Sequence, residues 1–429
     1  MVRSDKPAGD RSMIAPPDSP ELARWRADTP GADRRVHLNN AGASLVTRQV
    51  RAAIDEYLDL EAEFGGYEAA DASVDALHRV YDDLGRLLGA ARRNLALSQN
   101  STTAFAQALG AFDFASGDTI LTTRADYASN QIMYLSLARR LGVEIVRAPD
   151  LPEGGVDPEA VRQEIARRRP RLVSVTWVPT NSGLVQPVAA IGEICAAAEV
   201  PYLIDACQAV GQLPVDVAAL HCDYLAATGR KFLRGPRGLG FLYISDRALA
   251  AGSHPLLVDM HGATWTDPDR FELTPDGRRF ESWEISYALV MAVGAAVRYA
   301  LDVGLATARD RARALAAYAR ERLAQLPGVR VLDHGPELGA IVTATTGTRT
   351  GEEIKLGLRA RGINTSSPSR SDAVIDMDAK GAASAIRISP HYYNTTAEID
   401  TAVEALGDLL GERGGASGVS GQRPGVESR

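Results

Sequence analysis

The sequence predicts a three-layer α/β protein followed by a smaller α/β domain. Three observations lead there. Between residues 94 and 244, short apolar runs of strand character alternate with helical periodicity, and that alternation implies parallel strands joined by crossover helices. From about Ser282 a long apolar helix follows, and a second, shorter series of strand and helix signals begins beyond it. The 429 residues also exceed one average domain. The expected layout is a mobile arm over 1–35, a large domain over 36–290, a connector helix with a small domain over 291–412, and a disordered tail over 413–429.

The elements follow in order. The arm is rich in Pro, Asp, Arg and Ser, with a short helical patch at 21–26. VHLNNAGAS, at 36–44, reads as a strand running into a small-residue turn, where Asn40, Ala41 and Gly42 are candidates for substrate contact. Residues 47–62 and 71–90 carry helical periodicity, with Val50, Ile54 and Leu58 on one face, and residues 63–67 interrupt it. NLALSQ is a strand, and NSTTAF after it starts a helix. Free N–H groups and the positive dipole end there suit a phosphate, although capping alone explains Ser101. TILTT and VEIVRA are strands separated by a helix, a further helix covers 158–169, and the strand LVSVTWV ends in PTNSG, from which Thr180 or Asn181 should reach the site.

The most informative stretch is 202–244. One buried strand ends on Asp205, and Lys231 lies between an apolar strand and the glycine-rich turn GPRGLG. An amine and a carboxylate at neighbouring strand ends suit pyridoxal phosphate, which a lysine holds covalently and whose ring nitrogen stays protonated against a carboxylate. Gln208, placed one helical turn past Asp205, is a candidate partner for the ring hydroxyl, while Thr228 and Arg230 offer a hydroxyl and a cation to the phosphate. Arg230, Arg234 and Arg237 taken alone would read as a solvated basic loop. The flanking apolar strands, Asp205 and the glycine turn argue for the cofactor instead. GPRGLG precedes a strand where a dinucleotide fingerprint needs a helix, so no nucleotide site is expected. In the C-terminal part, VRVLD, AIVTAT and AIRISP are strands, and EEIKLGLRARG and TAEIDTAVEALGDLL are helices. Arg387, between Ile386 and Ile388, faces away from both, and its planar guanidinium suits a carboxylate.

Composition narrows the partners. A net charge of −7 argues against nucleic acid. Cys195, Cys207 and Cys222 show no C-x-x-C spacing and leave one over, which fits a reducing compartment; with neither a leader-like apolar run nor a spanning stretch, a cytoplasmic protein away from membranes is expected. The seven histidines form no H-E-x-x-H, so no metal is expected.

DACQ and ATGRKFLRGPRGLG together resemble the cofactor-lysine region of the class V aminotransferases, which include cysteine desulfurases, isopenicillin N epimerases and carbon–sulfur lyases. The resemblance runs from about residue 36 to about 410 and implies the pyridoxal-phosphate-dependent transferase fold type I. VHLNNAGAS, EAEFGGYEAADA and IRISPHYYNTTAEID are most similar to lyases acting on hercynylcysteine sulfoxide, with related antibiotic-pathway enzymes close behind. The resemblance implies that Thr102 and Thr103 hold the cofactor phosphate, that Tyr127 stacks on the ring where desulfurases use histidine, that the turn at Asn40 lines the substrate entrance, and that Arg387 binds the substrate α-carboxylate. It also implies a homodimer with the site at the subunit interface. Desulfurases need a nucleophilic cysteine on a small-domain loop, and GINTSSPSRSDAVIDM has none; Cys207 is expected on the wrong side of the site. The expected activity is therefore β-elimination from a cysteine S-conjugate, with decarboxylating oxidative deamination, transamination and epimerisation as alternatives.

Overall fold

The computed structural model describes residues 19–411. Its centre is a seven-stranded sheet in the order Leu95–Ser98, Gly240–Ile244, Tyr224–Thr228, Tyr202–Asp205, Leu172–Thr176, Thr119–Thr122, Glu144–Arg147, in which only Gly240–Ile244 runs antiparallel to its neighbours. Strands covered by helices on both faces read as continuous apolar runs, and their side chains still alternate between two cores. Tyr202, Ile204, Leu225 and Phe241 join the core on one face, and Leu203, Tyr224, Ala226 and Leu242 join the core on the other. Helices Arg48–Phe64, Val74–Leu88 and Tyr287–Val303 supply the first core, and Ser101–Leu109 and Ala128–Leu141 the second. This is the expected three-layer α/β arrangement.

The register lines up the ends that matter. Thr176 pairs with Asp205, Asp205 with Ala226, and Thr228 with Gly240, which also pairs with Ser98. Polar strand-end residues therefore collect along one edge, where open α/β sheets place their ligands.

The domain boundaries differ from expectation at three places. The strand Val36–His37 pairs in parallel with Ile363–Asn364, and Leu38 packs with Leu315, Ile386 and Ile388, so the chain enters the small domain before it builds the large one. Helix Tyr287–Val303 packs on the two early helices of the large domain and is not a connector; the change of domain comes at Gly304, whose φ of +83° favours glycine. There the next helix, Leu305–Ala324, turns away by 79° and enters the small-domain core through Leu315, Ala316, Ala319 and Leu323. Part of the expected mobile arm is also packed: in helix Pro20–Ala27, Leu22 and Trp25 bury against Tyr299, Tyr392 and Tyr393. Residues 1–18 and the expected disordered tail lie outside the described residues.

Two local expectations change as well. The interruption at 63–67 is a bend at Gly65, with helix Gly66–Ala72 following at once, and Leu58 is exposed while Val50 and Tyr57 are buried. A hairpin, Ala263–Asp267 with Arg270–Leu273, carries exposed Trp265 and Phe271 and was not anticipated. The small domain is a three-stranded antiparallel sheet, Val329–Val331, Val342–Thr346 and Ile386–Ile388, packed against helices Leu305–Ala324, Gly351–Ala360 and Thr396–Gly411. Among the described residues no single helix is long and apolar enough to cross a membrane, and no group of three or more metal-ligating side chains is present.

Candidate active site

A cavity of about 410 Å³ opens at the sheet edge, lined by Asn100, Ser101, Thr102, Tyr127, Asn130, Asp205, Cys207, Thr228, Arg230 and Lys231. Six of the expected site residues meet here: Thr102, Tyr127, Asp205, Thr228, Arg230 and Lys231. Lys231 is buried, and its Nζ lies 5.7 Å from the centroid of the Tyr127 ring. Burial draws its pKa down from the ordinary lysine value, against the opposing pull of Cys207 and Asp205. Burial of this kind makes a lysine amine easier to deprotonate.

Asp205 accepts from the Cys207 N–H at Oδ1, 2.9 Å, and from Asn130 Nδ2 at Oδ2, 3.0 Å. A carboxylate has about four acceptor positions, so capacity remains for a further donor. Gln208 follows in a tight turn and not in a helix. Its Nε2 donates to Ala41 O at 3.1 Å, its Oε1 is buried without a partner, and it stands outside the lining of the cavity.

The helix Ser101–Leu109 points its first turn into the cavity. Its N-cap is Asn100, whose Oδ1 accepts from the Thr103 N–H at 3.0 Å, so Ser101 is not the cap. Thr103 does not line the cavity, because its hydroxyl also turns back to Asn100 Oδ1 at 3.3 Å. The close approach of this helix to the sheet depends on Gly240: a Cβ there would lie 2.6 Å from Ser101 N.

Arg230 donates to the carbonyl of Gly42, which ties the cavity to the N-terminal turn. Burial lowers its pKa, with the charge of Arg237 adding to the effect. Arg387 is also buried, its pKa lowered to about 10 mainly by that burial, and its charge reaches Arg230 and Lys231. Its Nη1 donates to Thr180 O at 3.2 Å and its Nη2 to Asn39 Oδ1 at 3.4 Å, while Nε has no partner. Two guanidinium groups, Arg230 and Arg387, thus lie near one carboxylate, Asp205, with the Lys231 amine in charge reach of all three, an arrangement that suits a phosphate and a second carboxylate brought by ligands.

Asn40 does not fit the expected substrate contact. Its Nδ2 donates to Ser389 O and Asn394 Oδ1, and its Oδ1 accepts from Ser44 Oγ and Tyr393 OH, so its hydrogen-bonding capacity is spent inside the protein. Neither Thr180 nor Asn181 lines the cavity around Lys231, although Asn181 is buried with both side-chain atoms unpartnered. Cys207, expected on the wrong side, lines the cavity; it donates to Ser101 Oγ at 2.9 Å, and burial followed by the Asp205 charge pushes its thiol up to about 12. Asn100 and Asn130 were missed. The first carried a readable cap signal before a helix start, whereas nothing in the sequence marks the second, whose contacts are non-local.

A flat ring bearing a phosphate and an aldehyde fits these residues: helix N–H groups and cations for the phosphate, a carboxylate with spare capacity, and a buried amine beside an aromatic face. The family model for class-V aminotransferases matches residues 36–402. A probable cysteine desulfurase of Synechocystis is 26% identical over 388 residues, covering 86% of this chain and 90% of that protein. A probable hercynylcysteine sulfoxide lyase of Mycobacterium tuberculosis is 28% identical over 402 residues, covering 92% and 95%. The apo structure of a cysteine desulfurase from Thermococcus onnurineus superposes with a TM-score of 0.83 at 25% identity, covering 93% of this chain and all of that one. The match over residues 36–402, on a sheet edge that carries the buried amine and its carboxylate, makes this chain a member of the class-V aminotransferase family, a pyridoxal phosphate enzyme.

Proposed function

We propose that the protein is a carbon–sulfur β-lyase acting on a cysteine S-conjugate. One water is consumed, and a thiol, or a sulfenate from a sulfoxide, is released with pyruvate and ammonia. The observation that carries this reading is where the thiols lie. Cys207 beside the cavity is a half-buried, hydrogen-bonded thiol whose pKa is pushed up to about 12, and the small-domain stretch 362–377 holds no cysteine. A persulfide-forming nucleophile is therefore missing where desulfuration needs one. Similarity to a protein named as a hercynylcysteine sulfoxide lyase supports elimination in its place.

Pyridoxal phosphate, when bound, supplies an electron sink for negative charge at the substrate Cα. Lys231 would hold it covalently and, as a free amine, would serve as the base at the substrate Cα. Asp205 would keep the ring nitrogen protonated, and Tyr127 would lie against the ring. The start of helix Ser101–Leu109 with Thr102, Thr228 and Arg230 would hold the phosphate. Arg387 would fix the α-carboxylate.

Incubating the loaded protein with a panel of S-substituted cysteines and their sulfoxides, while following pyruvate and carbon dioxide together, tests the reading. Pyruvate without carbon dioxide is the expected result. Carbon dioxide without pyruvate points to oxidative deamination, and neither product from any conjugate points to transamination or epimerisation; both overturn the lyase.

The active unit is proposed to be a homodimer. Leu256, Leu257, Met260, Trp265 and Phe271 form an exposed apolar group of the kind that marks an interface. Light scattering should report twice the chain mass, and a fully active monomer would reject the dimer.

A further inference from the structure

We propose that Asn130, held in turn by Asp126, is the positioning residue that orients Asp205 toward the cofactor ring. Asp126 is a second buried acid behind the site, and the mechanism above gives it no role. It sits just before helix Ala128–Leu141 and is saturated with donors. Oδ1 accepts from the Tyr127 N–H at 2.7 Å, Thr176 Oγ1 at 2.5 Å and Asn130 Nδ2 at 3.1 Å; Oδ2 accepts from Thr122 Oγ1 at 3.1 Å and Gln131 Nε2 at 2.7 Å. With that many partners the carboxylate has no freedom to turn toward the cavity. Its place is fixed by two strand ends and a helix start.

Asn130, 3% exposed, is the link between the two acids. Its Nδ2 reaches Asp126 Oδ1 at 3.1 Å and Asp205 Oδ2 at 3.0 Å, with Thr176 Oγ1 at 3.2 Å. The Thr176 hydroxyl gives its proton to Asp126, and the two amide hydrogens suffice for the two carboxylates. This also fixes which way the amide faces, since its oxygen placed between two carboxylates would repel both. Asp205 is thereby held at both oxygens, Oδ1 by the Cys207 N–H and Oδ2 by Asn130. Asp205 also lines the cavity, where its unused acceptor capacity is open to a further donor. The titratable groups facing it are Asp126, Cys207, Lys231 and Tyr134. Two buried acids that share one amide are kept from mutual repulsion by that amide, so Asn130 sets the direction of the Asp205 carboxylate.

The inference rests on the reading of Asp205 as the ring-nitrogen partner, and its test separates the two. Asn130→Leu keeps the bulk and removes both donors. Equilibrium titration should show its pyridoxal phosphate dissociation constant raised by about tenfold, as expected for one lost hydrogen bond to a charged group. The acidic limb of the bound cofactor's absorbance titration should move, because the ring nitrogen would face a carboxylate no longer held in one direction. Loss of fold alone would not move that limb. Asn130→Ser, which keeps one short donor, should fall between wild type and leucine, and it is the variant to read if the leucine protein does not fold. In a double-mutant cycle with Asp126→Asn, the effects on the dissociation constant should be non-additive. An unchanged absorbance limb in both Asn130 variants, or strict additivity with Asp126→Asn, would overturn the positioning role. Borohydride reduction of the wild-type complex checks the underlying reading separately. A pyridoxyl label away from Lys231 sinks the cofactor assignment, whereas a label on Lys231 with insensitive Asn130 variants sinks only this inference.

Discussion

Arg387 is a guanidinium taken out of water without a carboxylate to pair with. Its partners are a carbonyl and an amide oxygen at 3.2 and 3.4 Å, and Nε is left open. Such a group is stabilised by an incoming carboxylate that accepts two parallel hydrogen bonds, a geometry an ammonium does not reproduce. Arg387→Lys is therefore expected to raise KM for an amino-acid substrate by roughly 30-fold, about 2 kcal/mol of charge-assisted bonding, and Arg387→Ala by more. Steady-state kinetics decide, and a KM within about threefold of wild type in both variants would remove the role. At this scale the sequence was legible wherever chemistry restricts residue type. A lysine, an acid and an arginine at strand ends announce themselves, and the cavity gathers the lysine and the acid. Asn40 misled because an asparagine in a turn reads the same whether its amide is free or, as here, satisfied on every side. Asn130 was invisible because its partners lie 4, 46 and 75 residues away.

Helix Ser101–Leu109 joins sequence to site most directly, because one residue, Asn100, both starts the helix and borders the cavity. Its side chain satisfies the Thr103 N–H, which leaves the amides before it for an anion. Asn100→Ala should lower the stability of the cofactor-free protein by about 1 kcal/mol, measured as a shifted urea midpoint, and weaken pyridoxal phosphate binding several-fold. Lost stability with unchanged cofactor affinity would place the phosphate elsewhere. Strands were the easiest elements to foresee, since their apolar runs are bounded by turn residues, and the sheet edge at Asp205 and Thr228 followed from them. The hairpin at 263–273 escaped because its apolar residues point outward, where burial leaves no pattern. The break near Gly65 was legible, because a glycine at φ +97° ends one helix at Phe64 and lets the next begin at Gly66.

For the whole molecule, periodicity identified the helices but not the body each one joins. That depends on which buried faces meet, and it is why strand Val36–His37 and helix Tyr287–Val303 lie on the opposite sides of the boundary from those expected. The seam between the two bodies is held by Arg234, which is fully buried. It donates to Leu45 O, Tyr392 OH and Thr29 Oγ1, with its guanidinium carbon 4.4 Å from the Tyr393 ring centre. Two histidines lie within reach of that charge. His37 bonds Ala43 O through Nε2 at 3.0 Å and Asn364 through Nδ1 at 3.1 Å; His391 bonds Phe232 O through Nε2 at 2.7 Å, with Nδ1 unpartnered. Burial first, and the Arg234 charge in addition, lower their pKa values from 6.5 to about 4 and about 3. Both are therefore neutral in the folded state across the range where the unfolded chain takes up protons. Their contribution is complete above pH 6.5 and is lost as the pH falls from there toward the folded values. By pH 5 each should have cost the protein about 2 kcal/mol, at 1.36 kcal/mol per unit below the unfolded pKa. His391→Gln keeps a donor for Phe232 O and removes one of these titrations. The wild-type advantage over it in urea unfolding should then shrink by about 2 kcal/mol between pH 7 and pH 5. An advantage that stays constant across that interval would mean that His391 carries the same charge in both states, and would remove its part in the pH dependence of the seam.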